Sequence, residues 1–260
     1  MAETSAYWIP ETDARFVPTA HVSGAWNPDE QHVAPAIGLL THAIERDRDA
    51  RRADDLRITR LAVDVLGVLR LEPVEIAVTV LRTGRTIELV EARLAQDGRP
   101  ALIARAWLAA VFDTAAISGT AFPPVPARDA LSAWDPGAVW PGGFVRSLEA
   151  RRAQEGQGRG VTWLRPVVGV IDGREVSPTA RIMAMIDVAN GLMARVGPDV
   201  AIFPSLDFAA HLLREPEGEW VACDTTASFG PRGAGLTHSV LHDDRGPFGT
   251  LAQTLTVRPR

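Results

Sequence analysis

One carboxylate lies in the middle of an apolar stretch in the second half of the chain. Residues 177–196 read SPTARIMAMIDVANGLMARV, in which Asp187 is the only acidic residue and Arg181 and Arg195 are the only basic ones. A helix that is apolar on nearly every face is buried. An ionised carboxylate inside it is costly unless other groups hydrogen-bond to it. Asp187 is therefore a candidate for chemistry, with a structural aspartate bonded to backbone groups as the alternative.

Two further polar residues of the second half are ambiguous when taken alone. Ser205 follows a proline at the expected start of a strand, and Gln253 lies within the last expected strand. A serine in that place is typical of a turn, and such a glutamine is typical of an outward-facing position. The two residues indicate function only if the fold brings them to Asp187.

Several other chemistries lack the residues that they need. All 27 basic residues are arginine, which excludes a lysine-containing phosphate loop and lysine Schiff-base chemistry. Cys223 is the only cysteine, so an internal disulfide and a multi-cysteine metal site are excluded, and we expect a buried strand residue rather than a nucleophile. No Gly-x-Ser-x-Gly motif is present. His238 and His242 are typical of a solvated hairpin end, so neither a metal nor another cofactor is predicted.

Charge and hydropathy limit the partners and the location. The net charge of −5 argues against a nucleic-acid binder, whose surface should be basic. No run approaches the ~18 apolar residues of a membrane helix. The first residues, MAET, are acidic and no apolar core follows them, so a secretory signal is not predicted. We expect a soluble cytoplasmic protein that binds neither nucleic acid nor membrane.

Helix and strand patterns occur in the same order in the two halves of the chain. The first half predicts a helix over 35–48, and then strands near 56–68, 74–82, 86–95 and 101–112. A stretch rich in proline, glycine and alanine follows, with a short helix expected at 148–154. The second half predicts a helix from Ser177 to about Val196, and then strands near 200–212, 219–229, 236–242 and 248–257.

A short internal repeat supports a duplication. Residues 64–73 read DVLGVLRLEP, and residues 207–216 read DFAAHLLREP. A long helix wrapped by an antiparallel sheet, present twice in one chain, is the outline of an α+β double hotdog. We expect an N-terminal hotdog over 1–115, a Pro/Gly-rich linker over 116–159 and a C-terminal hotdog over 160–260.

Several motifs carry a resemblance to a known family. They are SLDFAAHLLREPEGEW at 205–220, DDRG at 243–246 and LAQ at 251–253. Over residues 187–257 the chain closely resembles the acyl-CoA thioesterase II (TesB-type) family, and WNPDEQH at 26–32 is similar to the start of the first hotdog in bacterial relatives. One position departs from the pattern, because relatives often carry two glycines after the histidine and VAP follows His32 here.

The resemblance implies a catalytic set. The aspartate, serine or threonine, and glutamine of the family fall on Asp187, Ser205 and Gln253. They imply hydrolysis of an acyl-CoA thioester by an activated water, without a covalent intermediate. Backbone N–H groups or the Gln253 amide would bind the developing oxyanion. The activity implied belongs to fatty acid metabolism and needs no cofactor.

The repeat indicates that only one half is equipped in this way. Ser205 corresponds to Ala62 and Gln253 to Ala106, while Asp187 falls near Leu40 or Ile44. These counterparts are all apolar, so we predict one active centre per chain.

Two other functions fit the same fold, and the exposed sheet predicts a partner. Asn27, Pro28 and His32 echo part of the signature of hotdog enoyl-CoA hydratases, but its aspartate is missing and the histidine is displaced. A non-catalytic acyl-binding protein would keep the fold alone. The outer sheet face predicts a homodimer or a higher homo-oligomer.

Overall fold

One large sheet runs through both halves of the chain. The computed structural model describes residues 4–260. Fourteen strands form this sheet in the order β10-β1-β2-β4-β5-β6-β3-β12-β15-β14-β13-β9-β8-β7, and β11 pairs with β16 apart from it. The pairs are antiparallel except for β1 with β10. The predicted α+β class is confirmed.

The strands and helices have the following bounds. The strands are β1 Ala6–Pro10, β2 Arg15–Pro18, β3 Leu56–Val65, β4 Val74–Arg82, β5 Ile87–Gln96, β6 Arg99–Ala110, β7 Ser132–Trp134, β8 Leu148–Gly156, β9 Arg159–Pro166, β10 Gly169–Ile171, β11 Ala201–Ile202, β12 Asp207–Leu212, β13 Val221–Phe229, β14 Ala234–Asp243, β15 Gly246–Thr256 and β16 Arg258–Pro259. The helices are α1 Val33–Arg51, α2 Gly143–Arg146, α3 Pro178–Met183 and α4 Ala189–Leu192. No helix within residues 4–260 has the length and hydropathy needed to cross a membrane.

The two halves join where β3 lies antiparallel to β12. Asp64 pairs with Asp207, and Leu61 pairs with Ala210. These strands carry the two copies of the sequence repeat, so equivalent segments meet at the centre of the sheet. Backbone groups that would form an open edge in each half are thereby hydrogen-bonded to the other half.

The first helix is longer than its apolar pattern predicted. It begins after His32, whose ring Nδ1 accepts a hydrogen bond from the Ala34 N–H, and it packs on β4, β5 and β6. It also contacts α3 closely at Gly38, where a side chain would collide with Ala184. A glycine at this position therefore allows the helical segments of the two halves to touch.

The prediction of one continuous helix over 177–196 is wrong. The Ser177 cap is present, with its hydroxyl accepting from the Ala180 N–H, but α3 ends at Met183 and a 3₁₀ turn separates it from α4. The main-chain carbonyl of Asp187 accepts a hydrogen bond from the Gln253 side chain rather than serving a regular helix. β-Branched Ile186 and Val188 also have low helix propensity.

Two other sequence predictions need correction. Residues 148–154 form part of β8 rather than a short helix, because alternate side chains there are buried as β8 pairs with β9. The strand expected over 200–212 is split into β11 and β12 around Pro204, which cannot donate a ladder hydrogen bond. β7 and β8 lie entirely inside the predicted linker, and the division into 1–115, 116–159 and 160–260 stays a proposal.

Candidate active site

Asp187 lies in the 3₁₀ turn between α3 and α4, turned toward the sheet. Its side chain is 3% exposed, and its neighbours Ile186 and Val188 are buried apolar residues. This turn places a carboxylate in a region from which water is largely excluded. Such a group requires hydrogen-bond donors from other elements.

Gln253 on β15 supplies one of these donors. Its side-chain Nε2 donates to Asp187 Oδ1 at 2.8 Å and to the Asp187 main-chain carbonyl at 2.9 Å. The Gln253 side chain is fully buried, so the strand and the turn are tied together inside the core. Gln253 therefore does not occupy the outward-facing position that it suggests when it is taken alone.

Ser205 supplies the second donor from the segment just before β12. Its hydroxyl donates to Asp187 Oδ1 at 3.4 Å, a long hydrogen bond. Ser205 forms an isolated antiparallel bridge with Leu255 of β15, two residues beyond Gln253. The serine and the glutamine are therefore held in register by adjacent strands.

The three side chains predicted from the sequence thus come together on one carboxylate. Both side-chain donors reach Oδ1, while Oδ2 accepts no hydrogen bond from residues 4–260. Burial raises the pKa of Asp187 to about 7, against the hydrogen bonds from Gln253 and Ser205, which lower it. The negative charge of Asp207 raises this pKa further. The arrangement leaves one oxygen of a group that titrates near neutrality free to exchange a proton.

The corresponding region of the first half has no such set. The inward-facing positions of β6 are Leu102, Ala104, Ala106 and Leu108, all of them fully buried. Leu40 and Ile44 of α1 are buried apolar residues as well. The core of the first half therefore offers no polar side chain at these positions.

The sequence did not single out Asn190 as a member of this region. It lies three residues after Asp187 at the start of α4, and its Nδ2 donates to the Phe203 carbonyl at 3.3 Å. It lines a cavity of about 20 Å³ together with Trp26 and His32. A signal was available, since the chain has only two asparagines and this one falls on the apolar segment of Asp187.

His32 brings the start of the first helix into contact with this cavity. Its ring stacks on Phe144 with centroids 4.1 Å apart, and burial lowers its pKa to about 3. The imidazole is thus neutral, and its Nδ1 accepts the capping hydrogen bond from Ala34, one of the residues at which the sequence departs from the family pattern.

The remaining candidates have structural surroundings. Cys223 is buried on β13, as predicted, and burial raises the pKa of its thiol to about 12. His238 is exposed, but His242 is 1% exposed, so the solvated hairpin end is wrong for His242. Asp243 beside it is buried because Arg214 pairs with both of its carboxylate oxygens. Within the described part of the chain, no group of three or more potential metal ligands is found.

Two family models match the sequence. The model of the acyl-CoA thioesterase N-terminal domain matches residues 22–109, and the model of the acyl-CoA thioesterase C-terminal domain matches residues 120–257. No curated protein matches the sequence.

Solved structures share the fold over nearly the whole chain. A protein with a hot dog fold from Alicyclobacillus acidocaldarius has a TM-score of 0.75 at 16% identity, covering 98% of this chain and 97% of its own. Acyl-CoA thioesterase II TesB2 from Mycobacterium marinum has a TM-score of 0.69 at 16% identity, covering 97% and 96%. The tesB protein of Mycobacterium avium subs paratuberculosis has a TM-score of 0.65 at 18% identity, covering 98% and 97%. The predicted hotdog fold is confirmed.

Proposed function

The chain belongs to the acyl-CoA thioesterase family, and from this premise we propose that it hydrolyses acyl-CoA thioesters at Asp187. The observation that carries the proposal is the meeting of Asp187, Ser205 and Gln253, which come from three separate elements. A structural aspartate could be satisfied by backbone N–H groups alone. Here two side chains are directed at one carboxylate oxygen, and the other oxygen has no donor among the described residues 4–260.

Asp187 acts as the general base in this proposal. A water near the free Oδ2 gives a proton to the carboxylate while its oxygen attacks the thioester carbonyl carbon. General-base help of this kind is typically worth ~10²–10⁴-fold in rate. The pKa near 7 suits the role, because a base works best when its pKa is close to the working pH.

Ser205 and Gln253 position the carboxylate and the attacking water. The Gln253 amide holds Oδ1 and the backbone of the turn together, so the orientation of the carboxylate is set before substrate arrives. Backbone N–H groups stabilise the tetrahedral oxyanion, because Asp187 already occupies both N–H donors of the Gln253 amide. The carbon–sulfur bond then breaks, and the thiolate of CoA takes up the proton that Asp187 received. The products are the free acid and CoA.

Release of free thiol from a panel of acyl-CoA substrates tests the proposal. Saturated, branched and enoyl chains of several lengths are incubated with the full chain, and CoA thiol is measured against time. Thiol release above the rate without protein supports a thioesterase. Hydration of the enoyl substrates without thiol release would instead show a hydratase. Binding without turnover would show an acyl-binding protein.

A further inference from the structure

A second cavity, of about 260 Å³, lies at the free end of the sheet in the second half. It is lined by Trp134 of β7, Arg152 of β8 and the loop that follows α4, which includes Arg195. Among the described residues that line it, these two arginines are the only charged ones. The cavity therefore has an excess of positive charge.

Neither arginine is neutralised by the protein. Arg152 Nη1 donates to the Leu192 carbonyl at 3.3 Å, and its guanidinium lies 4.0 Å from the Trp134 ring centroid. Arg195 Nη1 contacts only main-chain carbonyls, at 3.4 Å. Within residues 4–260 neither forms an ion pair with a carboxylate. Both therefore keep N–H donors available for an anion.

Arg152 is partly buried, and no carboxylate within residues 4–260 pairs with it. Desolvation lowers the pKa of Arg152, whereas Asp224 raises the pKa of Arg159 nearby. A partly buried cation that lacks a counter-charge gains when an anion binds beside it.

In another cavity the arginines are accompanied by carboxylates. A cavity of about 570 Å³ beside the β14–β15 turn includes Arg128 and Arg245, but Asp129, Asp243 and Asp244 line it too. Its charges are balanced internally, and it gives no comparable reason to bind an anion.

The positively charged cavity adjoins the candidate active site. Trp140 and Gly191 line both this cavity and the cavity of about 20 Å³ that contains Asn190 and Val188. The Trp140 indole N–H donates to the Gly191 carbonyl at 3.3 Å, so one ring separates the two spaces. Val188 is the residue next to Asp187. The two arginines therefore lie in the cavity on the other side of Trp140 from Val188 and Asn190.

We propose that Arg152 and Arg195 bind a phosphate of the carrier group of the thioester substrate, on the far side of Trp140 from Asp187. The inference rests on the proposed function, since it places the carrier group of the same substrate whose thioester Asp187 would act on. A guanidinium binds phosphate through two parallel N–H···O hydrogen bonds. CoA and the phosphopantetheine arm of a carrier protein share this chemistry, and the ligands tested separate them.

Calorimetric titration of the full chain with CoA tests the proposal without depending on hydrolysis. We compare wild type with Arg152→Ala, Arg195→Ala and the control Arg99→Ala, which removes an exposed arginine of a different cavity. Loss of a charged hydrogen-bonding partner should raise the Kd for CoA about ten-fold or more. The control should leave the Kd unchanged, and all four proteins should bind pantetheine, which has no phosphate, equally. Phosphopantetheine is titrated as well. If the arginine variants bind it more weakly than wild type does, the contact is at the phosphate next to the pantetheine arm. If only the binding of CoA is weakened, the contact is at a phosphate of the nucleotide.

Equal CoA binding by wild type, Arg152→Ala and Arg195→Ala would overturn the inference, as would an equal loss in Arg99→Ala. A thermal melt of each variant shows whether it folds. If Arg152→Ala does not fold, Arg152→Lys replaces it in the titration, because lysine keeps the charge but lacks the planar guanidinium. Thiol release is measured separately. Arginine-dependent CoA binding without hydrolysis would reject the proposed function and keep this inference. Hydrolysis with unchanged KM in both alanine variants would keep the proposed function and reject the phosphate contact.

Discussion

Thr237 and Gln253 lie directly opposite each other on β14 and β15, and each buries an oxygen that has no hydrogen-bond partner in the described part of the chain. Both side chains are fully buried. The Gln253 amide points its nitrogen at two oxygens of Asp187, which leaves its own Oε1 unpaired. The orientation of this amide is thus determined by the carboxylate and not by its cross-strand neighbour.

Thr237→Val should therefore stabilise the fold. The substitution replaces a buried hydroxyl that has no partner with a methyl group of similar size, and the free energy of unfolding should rise by ~1–2 kcal/mol. Thr162→Val removes a second unpartnered hydroxyl and should act in the same direction. Thr225→Val is the opposite control, because its hydroxyl is bonded to Ser239. Urea unfolding measures all three. A loss of stability or of kcat in Thr237→Val would show that its hydroxyl serves Gln253 in solution.

Asp187→Asn should abolish thiol release and leave the fold intact. The amide keeps the size of the side chain and an acceptor for Gln253, but it cannot take a proton from water. Gln253→Ala should reduce kcat less completely, because the glutamine orients and does not accept the proton. Steady-state kinetics with one acyl-CoA measures both, and circular dichroism checks folding. Near-native kcat in Asp187→Asn would remove it as the base, and full activity of Gln253→Ala would remove Gln253 from the site.

The pH dependence of kcat/KM should report the ionisation of Asp187. The base is active when ionised, and burial raises its pKa to about 7, so activity should rise with pH through that region. The negative charge of Asp207 also raises the pKa of Asp187. Asp207→Asn removes this charge, so the midpoint of the pH profile should move to lower pH. An activity that is flat between pH 5 and 9 would be inconsistent with a carboxylate base in this environment.

The raised pKa of Asp187 also makes the stability of the fold depend on pH. The folded-state pKa is above the ordinary value of 3.8, so the native state holds the proton more tightly. The stabilising contribution of the protonated group is complete below pH 3.8 and is lost as pH rises through about 7. Asp187→Asn should gain melting temperature relative to wild type as pH increases over this range, which would confirm that the variant lacks activity without being misfolded.

The sequence predicted the central strands of each half and the members of the candidate site, but not the strands of the sheet ends, such as β1 and β8, nor the break in the helix near Asp187. The β4 bounds, Val74–Arg82, match the prediction, because punctuation and β-branched content both indicate a strand there. The break near Asp187 was not predictable from periodicity, since it depends on Gln253, which lies far away in the sequence. For the same reason, the outward-facing position that Gln253 suggests when it is taken alone is not the one observed. A polar residue is buried only when a partner from another element meets it.

The cavity beside Asn190 shows a second limit. Trp26 and His32 belong to a motif that is similar to bacterial relatives. Their contact with the segment after Asp187 requires the two halves to meet, which no local pattern shows. The rarity of asparagine marks Asn190 in the sequence, but its partner, the Phe203 carbonyl at 3.3 Å, belongs to another segment and is known only from the structure. Contacts between distant segments follow from the pairing of β3 with β12, which local patterns do not describe.

One active centre per chain is the expected stoichiometry. Asp187, Ser205 and Gln253 meet in the second half, while the inward positions of β6 in the first half are apolar. Titration with an acyl-CoA analogue that cannot be hydrolysed should saturate at one ligand per chain, measured by calorimetry. Two equivalent sites per chain would show that the first half also binds substrate productively.

We finally expect the chain to form at least a homodimer, because apolar side chains stay exposed around the junction of its two halves. Phe112 is 68% exposed and Leu213 is 64% exposed, and both line a cavity of about 340 Å³ at this junction. Leu66, just after β3, is 55% exposed. Large apolar side chains exposed beside one another, as Phe112 and Leu213 are, are typical of an interface. Light scattering at micromolar concentration should give at least twice the chain mass of 28.0 kDa. Phe112→Asp and Leu213→Asp should lower that mass, whereas Val139→Asp, at an exposed position elsewhere, should not. A mass that stays at 28.0 kDa as concentration rises would show that the pairing of β3 with β12 is sufficient and that the chain is a monomer.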